Sequence, residues 1–464
     1  MIALPTYAGR TVAVFGLARS GAAAVRALTK SGAKVVAWDD NENRRNENAG
    51  AGVLLTNLSE CHFDNIDALV LSPGVPFTHP EPHPVVRKAQ AAGVPVIGDV
   101  ELFATAGTIA SLVAITGTNG KSTTTALIGH LLGTSGRSVS VGGNIGRPVL
   151  DFEPLGATGT YVVELSSYQI DLAPSLVCDV AVLINISSDH LDRHGDMAGY
   201  VAVKRRIFNG QSGGQTAIVG VDDEYCRATY RSLKDQGQQN VIPVAVGRVL
   251  DDGVSVEDGI LYDRIDGDRE TICLDGIKTL RGGHNWQNVA AAYGAARSVG
   301  LTRDEIAGAL PSFPGLAHRM ESLGEIAGAE YINDSKATNA DAAARALAAF
   351  DEIYWIAGGR PKAGGYGAIE PFLPHVRVAY LIGEAALEMA VAFAPHTTVV
   401  RSETLDRALA AASRDARNAA SDGRRPVVLL SPACASFDQF RDFEARGDAF
   451  RDLVARQAPT GGAA

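Results

Sequence analysis

Short apolar runs alternate with longer stretches whose apolar positions recur at helical spacing, and the alternation persists along nearly the whole chain. Thr11-Val-Ala-Val-Phe-Gly16 and Lys34-Val-Val-Ala-Trp38 have the length and β-branched content of buried strands. Between them Gly16-Leu-Ala-Arg-Ser-Gly21 reads as a glycine turn, followed by an alanine-rich helix up to Lys30. Ala68-Leu-Val-Leu71 runs into Ser72-Pro-Gly74, and this first block closes near Val96-Ile-Gly-Asp99. The same pattern predicts strands at Tyr161–Val163 and Val180–Ile186, and a helix over Met197–Phe208. An amphipathic helix is predicted over Trp286–Ser298, with Asn285 a good N-cap for it. After the Pro311–Pro314 punctuation, strands are expected at Ile353–Ile356, Val378–Ile382 and Val427–Leu430.

Strands that alternate with helices give an α/β fold of parallel sheets, with ligands at the carboxyl ends of the strands. Three domains are expected: a Rossmann-like one over 1–99, a central one over 100–314, and a second Rossmann-like one over 315–464. The central domain is a P-loop ATPase-type parallel sheet, with the polar stretch from Asp222 to Leu280 adding a small antiparallel sheet. The length agrees, because 464 residues exceed what one hydrophobic core organises.

A net charge of −10 argues against a nucleic-acid or anionic-membrane surface. No apolar run approaches the roughly 20 residues needed to span a bilayer, so no membrane insertion is expected. Five scattered cysteines without paired spacing read as free thiols of a cytoplasmic protein. Cys434 is a weak nucleophile candidate, since no histidine lies near it in sequence.

The chemistry concentrates at strand ends. Val113-Ala-Ile-Thr116 leads into Gly117-Thr-Asn-Gly-Lys-Ser-Thr123 and then a helix-compatible run. Glycines let backbone N–H groups cradle phosphate oxygens at a helix N-terminus. Lys121 can neutralise phosphate charge, and the Ser122 or Thr123 hydroxyl can ligate Mg²⁺. The glycine of the longer pattern is replaced by Ile115, so this is a shortened loop. As a phosphate loop it points to a nucleoside triphosphate as reaction currency, the bland alternative being a glycine turn that caps a helix.

Glu164 closes an apolar run where an acid can hold Mg²⁺, or can simply be a surface acid at a strand end. Asn185-Ile-Ser-Ser-Asp-His-Leu-Asp-Arg-His194 packs titratable groups after a buried strand, as a catalytic loop would. Asp196 is the expected cap of the next helix. On that helix Tyr200, Val201, Lys204, Ile207 and Phe208 share one stripe. A lysine there either snorkels to water or, desolvated, offers a neutral amine that CO₂ can carbamylate into a hard-metal ligand. The Gly16 turn with Asp39 is compatible with a nucleotide ribose site or with a tight turn alone. In the last block, Ile332–Asn339 and Ser431–Phe440 follow strands where ligand loops belong.

Several of these segments resemble the Mur ligase family. They are Gly117–Thr123, Asp189-His-Leu-Asp-Arg-His194, Gly283-His-Asn285, His318-Arg319 and Asn333-Asp-Ser-Lys-Ala-Thr338. Ser72-Pro-Gly74, Gly143-Asn-Ile-Gly146, Glu164–Gln169 and Ser431–Phe437 resemble its D-glutamate-adding branch. The resemblance implies an ATP-dependent amide ligase of peptidoglycan precursor synthesis, acting as a monomer on the small molecules UDP-N-acetylmuramoyl-L-alanine and D-glutamate. A sister ligase for another amino acid, or for L-glutamate, is the near alternative. An oxidoreductase using nicotinamide and a noncatalytic nucleotide binder are the distant ones.

By that resemblance ATP lies on the loop Gly117, Thr118, Asn119, Gly120, Lys121, Ser122 and Thr123, and on Asn285, Arg319 and Asp334. Two Mg²⁺ ions are implied, one on Ser122 and Glu164, the other on His190 and carbamylated Lys204. Catalysis falls to Lys121, Asn144, His190 and Lys204, with Asn144 and His190 holding the acyl end of the substrate. Leu17, Asp39, Asp40 and Ser72 are implied around the UDP moiety. Lys336, Thr338, Lys362, Ser436, Phe437 and Phe443 are implied around D-glutamate.

Overall fold

A computed structural model describes residues 1–50, 52–265, 267, 269–361 and 365–457, with the side chains of 278 and 284 outside the description. Lys362 therefore lies outside the described residues. The chain forms two compact units, Met1–Phe313 and Pro314–Ala464.

The first unit opens with five parallel strands: β1 (Thr11–Phe15), β2 (Lys34–Trp38), β3 (Val53–Leu55), β4 (Ala68–Leu71) and β5 (Val96–Ile97). Their order is β3-β2-β1-β4-β5, a Rossmann-like half sheet. Helix Arg19–Lys30 packs on it with small side chains, Ala23, Ala24, Ala27 and Leu28 being buried. Gly21 is required there: a Cβ at that position would sit 1.7 Å from the Gly16 carbonyl oxygen.

Nine further strands complete this unit. They are β6 (Ser111–Thr116), β7 (Val139–Gly143), β8 (Thr160–Glu164), β9 (Val180–Leu183), β10 (Thr216–Gly220), β11 (Asn240–Val246), β12 (Gly253–Glu257), β13 (Ile260–Arg264) and β14 (Glu270–Cys273). They form one sheet in the order β14-β13-β12-β11-β10-β9-β6-β8-β7. The antiparallel strands β12, β13 and β14 thus extend the parallel sheet through a β11–β12 pairing, and are not a small sheet of their own.

Two further expectations need correction. Strand β9 ends at Leu183, short of Ile186, because Ile184 and Asn185 turn their backbone groups toward β6 and the phosphate loop. The helix expected from Trp286 begins at Gly283 with Gly282 as its cap, so Asn285 lies inside it. That helix is also not amphipathic: Val289, Ala290, Ala291, Ala292, Tyr293, Ala295 and Ala296 are all buried, clasped between the sheet and the helix Lys121–Thr134.

The second unit holds β15 (Glu321–Ile326), β16 (Ala329–Asn333), β17 (Ile353–Gly358), β18 (Val376–Ile382), β19 (Thr398–Glu403) and β20 (Val427–Leu430). Their order is β15-β16-β20-β17-β18-β19, parallel except for the edge strand β15. Strands β17 and β20 are buried throughout, as both-face coverage by helices requires. Among the described residues no helix is long and apolar enough to cross a membrane. None of the five cysteines is paired.

Candidate active site

Four adjacent strands, β7, β8, β6 and β9, end at one edge of the central sheet and set the site. The ladder pairs Ile115 with Glu164, Thr116 with Leu183, and Gly143 with Glu164. Their carboxyl ends therefore deliver the phosphate loop, Glu164, Asn144 and the 185–194 loop side by side.

The loop itself is built on glycine. Gly120 caps the helix Lys121–Thr134 at φ +84°, and a Cβ there would lie 2.1 Å from Asn288 Oδ1. Asn185 holds the loop from the neighbouring strand. Its carbonyl accepts from Thr118 N at 2.8 Å and its Oδ1 accepts from Asn119 N at 2.9 Å. Gln287 accepts in turn from Asn185 Nδ2 at 2.8 Å. Asn288 carries the same support further, its Oδ1 accepting from Thr124 Oγ1 at 3.3 Å and its Nδ2 donating to Asn285 Oδ1 at 3.3 Å. Asn285 is thereby placed beside the loop from within the helix.

Lys121 folds back over the loop, its Nζ donating to the Gly117 and Thr118 carbonyls at 3.0 and 2.9 Å. Lys204 reaches the same place from helix Met197–Arg205, capped by Asp196 as expected. Only 1% of Lys204 is exposed, so it does not snorkel to water. Its Nζ donates to Gly117 O at 2.8 Å and Thr116 Oγ1 at 3.3 Å, and lies 4.7 Å from the Tyr200 ring centroid. Burial first, and then the Lys121 ammonium, pushes Lys204 from 10.5 down to about 7.

Glu164 is buried, with Oε1 accepting from Asn144 Nδ2 at 2.8 Å. Its Oε2 is buried without a hydrogen-bond partner among the described residues. An orphaned carboxylate oxygen beside a phosphate loop fits a divalent cation, since an unpartnered buried acceptor is costly. Ser122 is buried in the first turn of the helix that follows the loop. His190 is half exposed in a left-handed conformation (φ 52°), and burial lowers its pKa despite the Asp189 carboxylate beside it. No group of three or more His, Cys, Asp or Glu side chains could hold a metal among the described residues. A cation here must draw on hydroxyl, phosphate or carbamate oxygens as well.

Around the Gly16 turn, Asp39 is buried, its carboxylate accepting from Leu17 N at 2.6 Å and Asn41 N at 2.8 Å. The tight-turn role is thus filled by the protein's own donors. Asp40 is exposed, and Ser72 lies against Gly16, where a Cβ would approach the Ser72 Cβ to 2.5 Å.

In the second unit the adjacent ends of β16, β20 and β17 gather the other residues. Asp334 is buried, accepting from Ser431 Oγ at 2.8 Å and Met320 N at 3.2 Å, and burial pushes it up to about 7. Lys336 Nζ sits 5.1 Å from the Phe443 ring centroid. Arg319 is close enough to act on Asp334 electrostatically. The Thr338 amide donates to the Lys336 carbonyl at 2.8 Å. Ser436 is buried beside Phe437, which is 64% exposed. Cys434 is buried, and burial raises its thiol to about 11, which disfavours the thiolate a nucleophile needs.

Arg446 went unnoticed in the sequence. It is 1% exposed and donates to Ser335 Oγ and to the carbonyls of Ser335, Gly358 and Cys434, at 2.9 to 3.4 Å. One guanidinium thus ties the loops after β16, β17 and β20. Asn185, Asn288 and Arg193 were likewise given no role, and only their contacts reveal one.

Comparison with known proteins agrees with this layout. Residues 10–98 match the N-terminal domain of MurD-like Mur ligases, 115–296 the Mur ligase middle domain, and 318–434 the Mur ligase glutamate ligase domain. The UDP-N-acetylmuramoylalanine–D-glutamate ligase of Caulobacter vibrioides (strain NA1000 / CB15N) is 49% identical, over 100% of this chain and 99% of that one. The protein of that name from Nitrobacter winogradskyi is 51% identical, over 98% of both. In fold, the chain resembles UDP-N-acetylmuramate-alanine ligase from Thermotoga maritima, with TM-score 0.58 and 16% identity over 96% of this chain and 99% of that one. It also resembles the MurF ligase of Thermotoga maritima solved in complex with ADP, with TM-score 0.54 and 18% identity over 97% and 96%. With three family domains in order and full-length relatives near 50% identity, the chain belongs to the Mur ligase family.

Proposed function

We propose that this chain is an ATP-dependent ligase that joins D-glutamate to UDP-N-acetylmuramoyl-L-alanine, as a cytoplasmic monomer. The observation that carries the reading is full-length identity of 49–51% to relatives named for that activity. Sister ligases for other substrates match at only 15–18% identity. A nicotinamide oxidoreductase would leave the phosphate loop and the orphaned Glu164 oxygen without a purpose.

The substrate carboxylate attacks the γ-phosphorus of ATP, giving an acyl phosphate and ADP. The amine of D-glutamate then attacks the acyl carbon, and phosphate leaves with loss of one proton from nitrogen. Two anions meet in the first step, so fixed cations are needed where the charge concentrates. Lys121 supplies one, already folded over the loop that cradles the phosphates. Asn144, oriented by Glu164, and His190 hold the acyl end. Lys204, at about 7, is partly neutral near physiological pH and open to CO₂, which adds to its nitrogen with release of a proton. Two Mg²⁺ ions, when bound, would screen the phosphate charge, held by Ser122 and Glu164 and by His190 and carbamylated Lys204.

We assign Leu17, Asp39, Asp40 and Ser72 to the UDP end, and Asn285, Arg319 and Asp334 to ATP. Lys336, Thr338, Lys362, Ser436, Phe437 and Phe443 are assigned to D-glutamate. The test is phosphate release from ATP with UDP-N-acetylmuramoyl-L-alanine against a panel of D- and L-amino acids. Release with D-glutamate and not with L-glutamate is expected. Release with another amino acid instead, or with none, overturns the reading.

A further inference from the structure

The 185–194 loop makes a contact that no part of the scheme above employs. Arg193 Nη1 donates to the Gly74 carbonyl at 3.1 Å, and Nη2 donates to the carbonyls of Pro73 and Val75 at 3.3 and 2.9 Å. Three successive carbonyls of the segment after β4 converge on one planar fork, a geometry the compact lysine ammonium cannot match. The guanidinium also lies over the Tyr168 ring, its Cζ 4.5 Å from the ring centroid. Tyr168 in turn contacts the His190 ring, with centroids 5.0 Å apart, and stacks on His194 at 5.5 Å. His194 is fixed by Ser167 Oγ at 2.9 Å from its Nε2.

The position of Arg193 in its own loop adds weight. It lies in the four-residue helix Leu191–His194, and its amide donates to the His190 carbonyl at 3.0 Å. His190 caps that turn with φ 52°, a left-handed conformation that is costly for a non-glycine residue and persists only where neighbours impose it. Ser72 opens the carbonyl-bearing segment, its N bonded to Phe15 O at 2.9 Å and its carbonyl accepting from Val75 N at 2.9 Å. Arg193 therefore joins the segment that carries Ser72 to the segment that carries His190.

We infer that Arg193 is a positioning residue that sets the distance between the UDP end and the acyl end of the substrate site. The inference rests on the proposed function, since it takes Ser72 and His190 as the two ends. A substrate that spans both segments needs them in fixed register, and a misplaced reacting group loses rate as well as affinity. ATP and D-glutamate do not span them.

The test measures kinetics of the wild-type enzyme and of the Arg193→Ala and Arg193→Lys variants with each of the three substrates. For Arg193→Ala the KM for UDP-N-acetylmuramoyl-L-alanine is expected to rise at least ~10-fold with a fall in kcat, matching the loss of hydrogen bonds from a charged donor. The KM values for ATP and D-glutamate should stay within about 2-fold, and added guanidinium chloride should recover part of the lost rate. Arg193→Lys keeps the charge and the stem, and it should recover less than the guanidinium ion does. Should Arg193→Ala fail to fold, the KM values of Arg193→Lys alone decide, with the same selective rise expected. An equal rise for all three substrates, or full wild-type kinetics in Arg193→Lys, overturns the positioning role. A wild-type enzyme that forms no amide with D-glutamate fails the function itself, a different outcome from an active enzyme indifferent to Arg193.

Discussion

Lys121 and Lys204 donate to one acceptor, the carbonyl oxygen of Gly117, at 3.0 and 2.8 Å. Two like charges on a single carbonyl oppose each other, and Lys121 is the second cause of the lowered Lys204 pKa after burial. The arrangement suits a loop that is completed by anions. Lys121→Ala should lose acyl-phosphate formation by ~10²-fold or more, the cost of removing one preorganised charge donor. Trapping the acyl phosphate with hydroxylamine measures this directly. A variant that forms it at the wild-type rate would sink the mechanism.

Lys204→Ala should nearly abolish amide formation, and added bicarbonate should not restore it, because no amine remains to take up CO₂. The alanine leaves a space among Tyr200, Thr116 and Gly117, so a melting curve must accompany the assay. Full activity in a folded variant removes the carbamate from the reaction.

Gly120→Ala tests the loop geometry. At φ +84° the new side chain carries a left-handed penalty of about 1–2 kcal/mol. Its Cβ would also meet Asn288 Oδ1 at 2.1 Å. The KM for ATP is expected to rise at least ~10-fold, which corresponds to about 1.4 kcal/mol. Adding Asn288→Ala relieves the contact but not the backbone, so recovery should be partial. An unchanged KM for ATP in Gly120→Ala contradicts the expectation.

Asp334 gives the second unit a pH dependence of definite sign. Its carboxyl titrates at about 7 when folded and at 3.8 when exposed, so between those values the folded chain holds a proton that the unfolded chain has lost. Stability contributed by the neutral form is complete below pH 3.8 and disappears as pH rises through 7. The separation corresponds to about 4 kcal/mol at most. Denaturant unfolding at pH 5 and pH 7.5 should show a smaller decline in Asp334→Asn than in the wild type. Identical declines would mean that Asp334 does not titrate in this window.

Arg446→Met should cost about 3 kcal/mol or more, because several buried carbonyls lose a charged donor with no water to replace it. The KM for D-glutamate should rise more than the KM for the UDP substrate, since the tied loops carry Lys336 and Ser436. Equal effects on both would assign Arg446 to general stability alone.

Much of the fold was legible before any coordinates. Strands β4 and β20 match their apolar runs residue for residue, because a strand buried on both faces leaves its full length apolar. The phosphate loop, Glu164 and the 185–194 segment were legible for a related reason, as polar residues set directly after such runs. Helix Gly283–Ser298 was misread because its first turn is polar and partly exposed, leaving no apolar mark for its start, while Val289–Ala296 is packed nearly all round. The antiparallel strands β12–β14 were legible as strands, but their attachment to the edge of the parallel sheet was not. Pairing partners lie far apart in sequence and leave no local trace.

For Lys204 the sequence left two outcomes open, and burial to 1% exposure against Gly117 and Tyr200 excludes the one in which its charge snorkels to water. Arg193 and Arg446 show the same limit more sharply. Each is an ordinary arginine on a helix until three carbonyls meet it, from one distant segment for Arg193 and from three for Arg446.

What the sequence determined by itself is the order of elements, the family, and the identity of the groups at the strand ends. Those follow from local periodicity and from short motifs whose chemistry is carried by residues in a row. The tertiary structure alone decided which strand ends are neighbours, which lysine is desolvated, and which arginine holds which loop. These depend on the order of strands in the sheet and on the packing of side chains remote in the chain, and no local pattern encodes either.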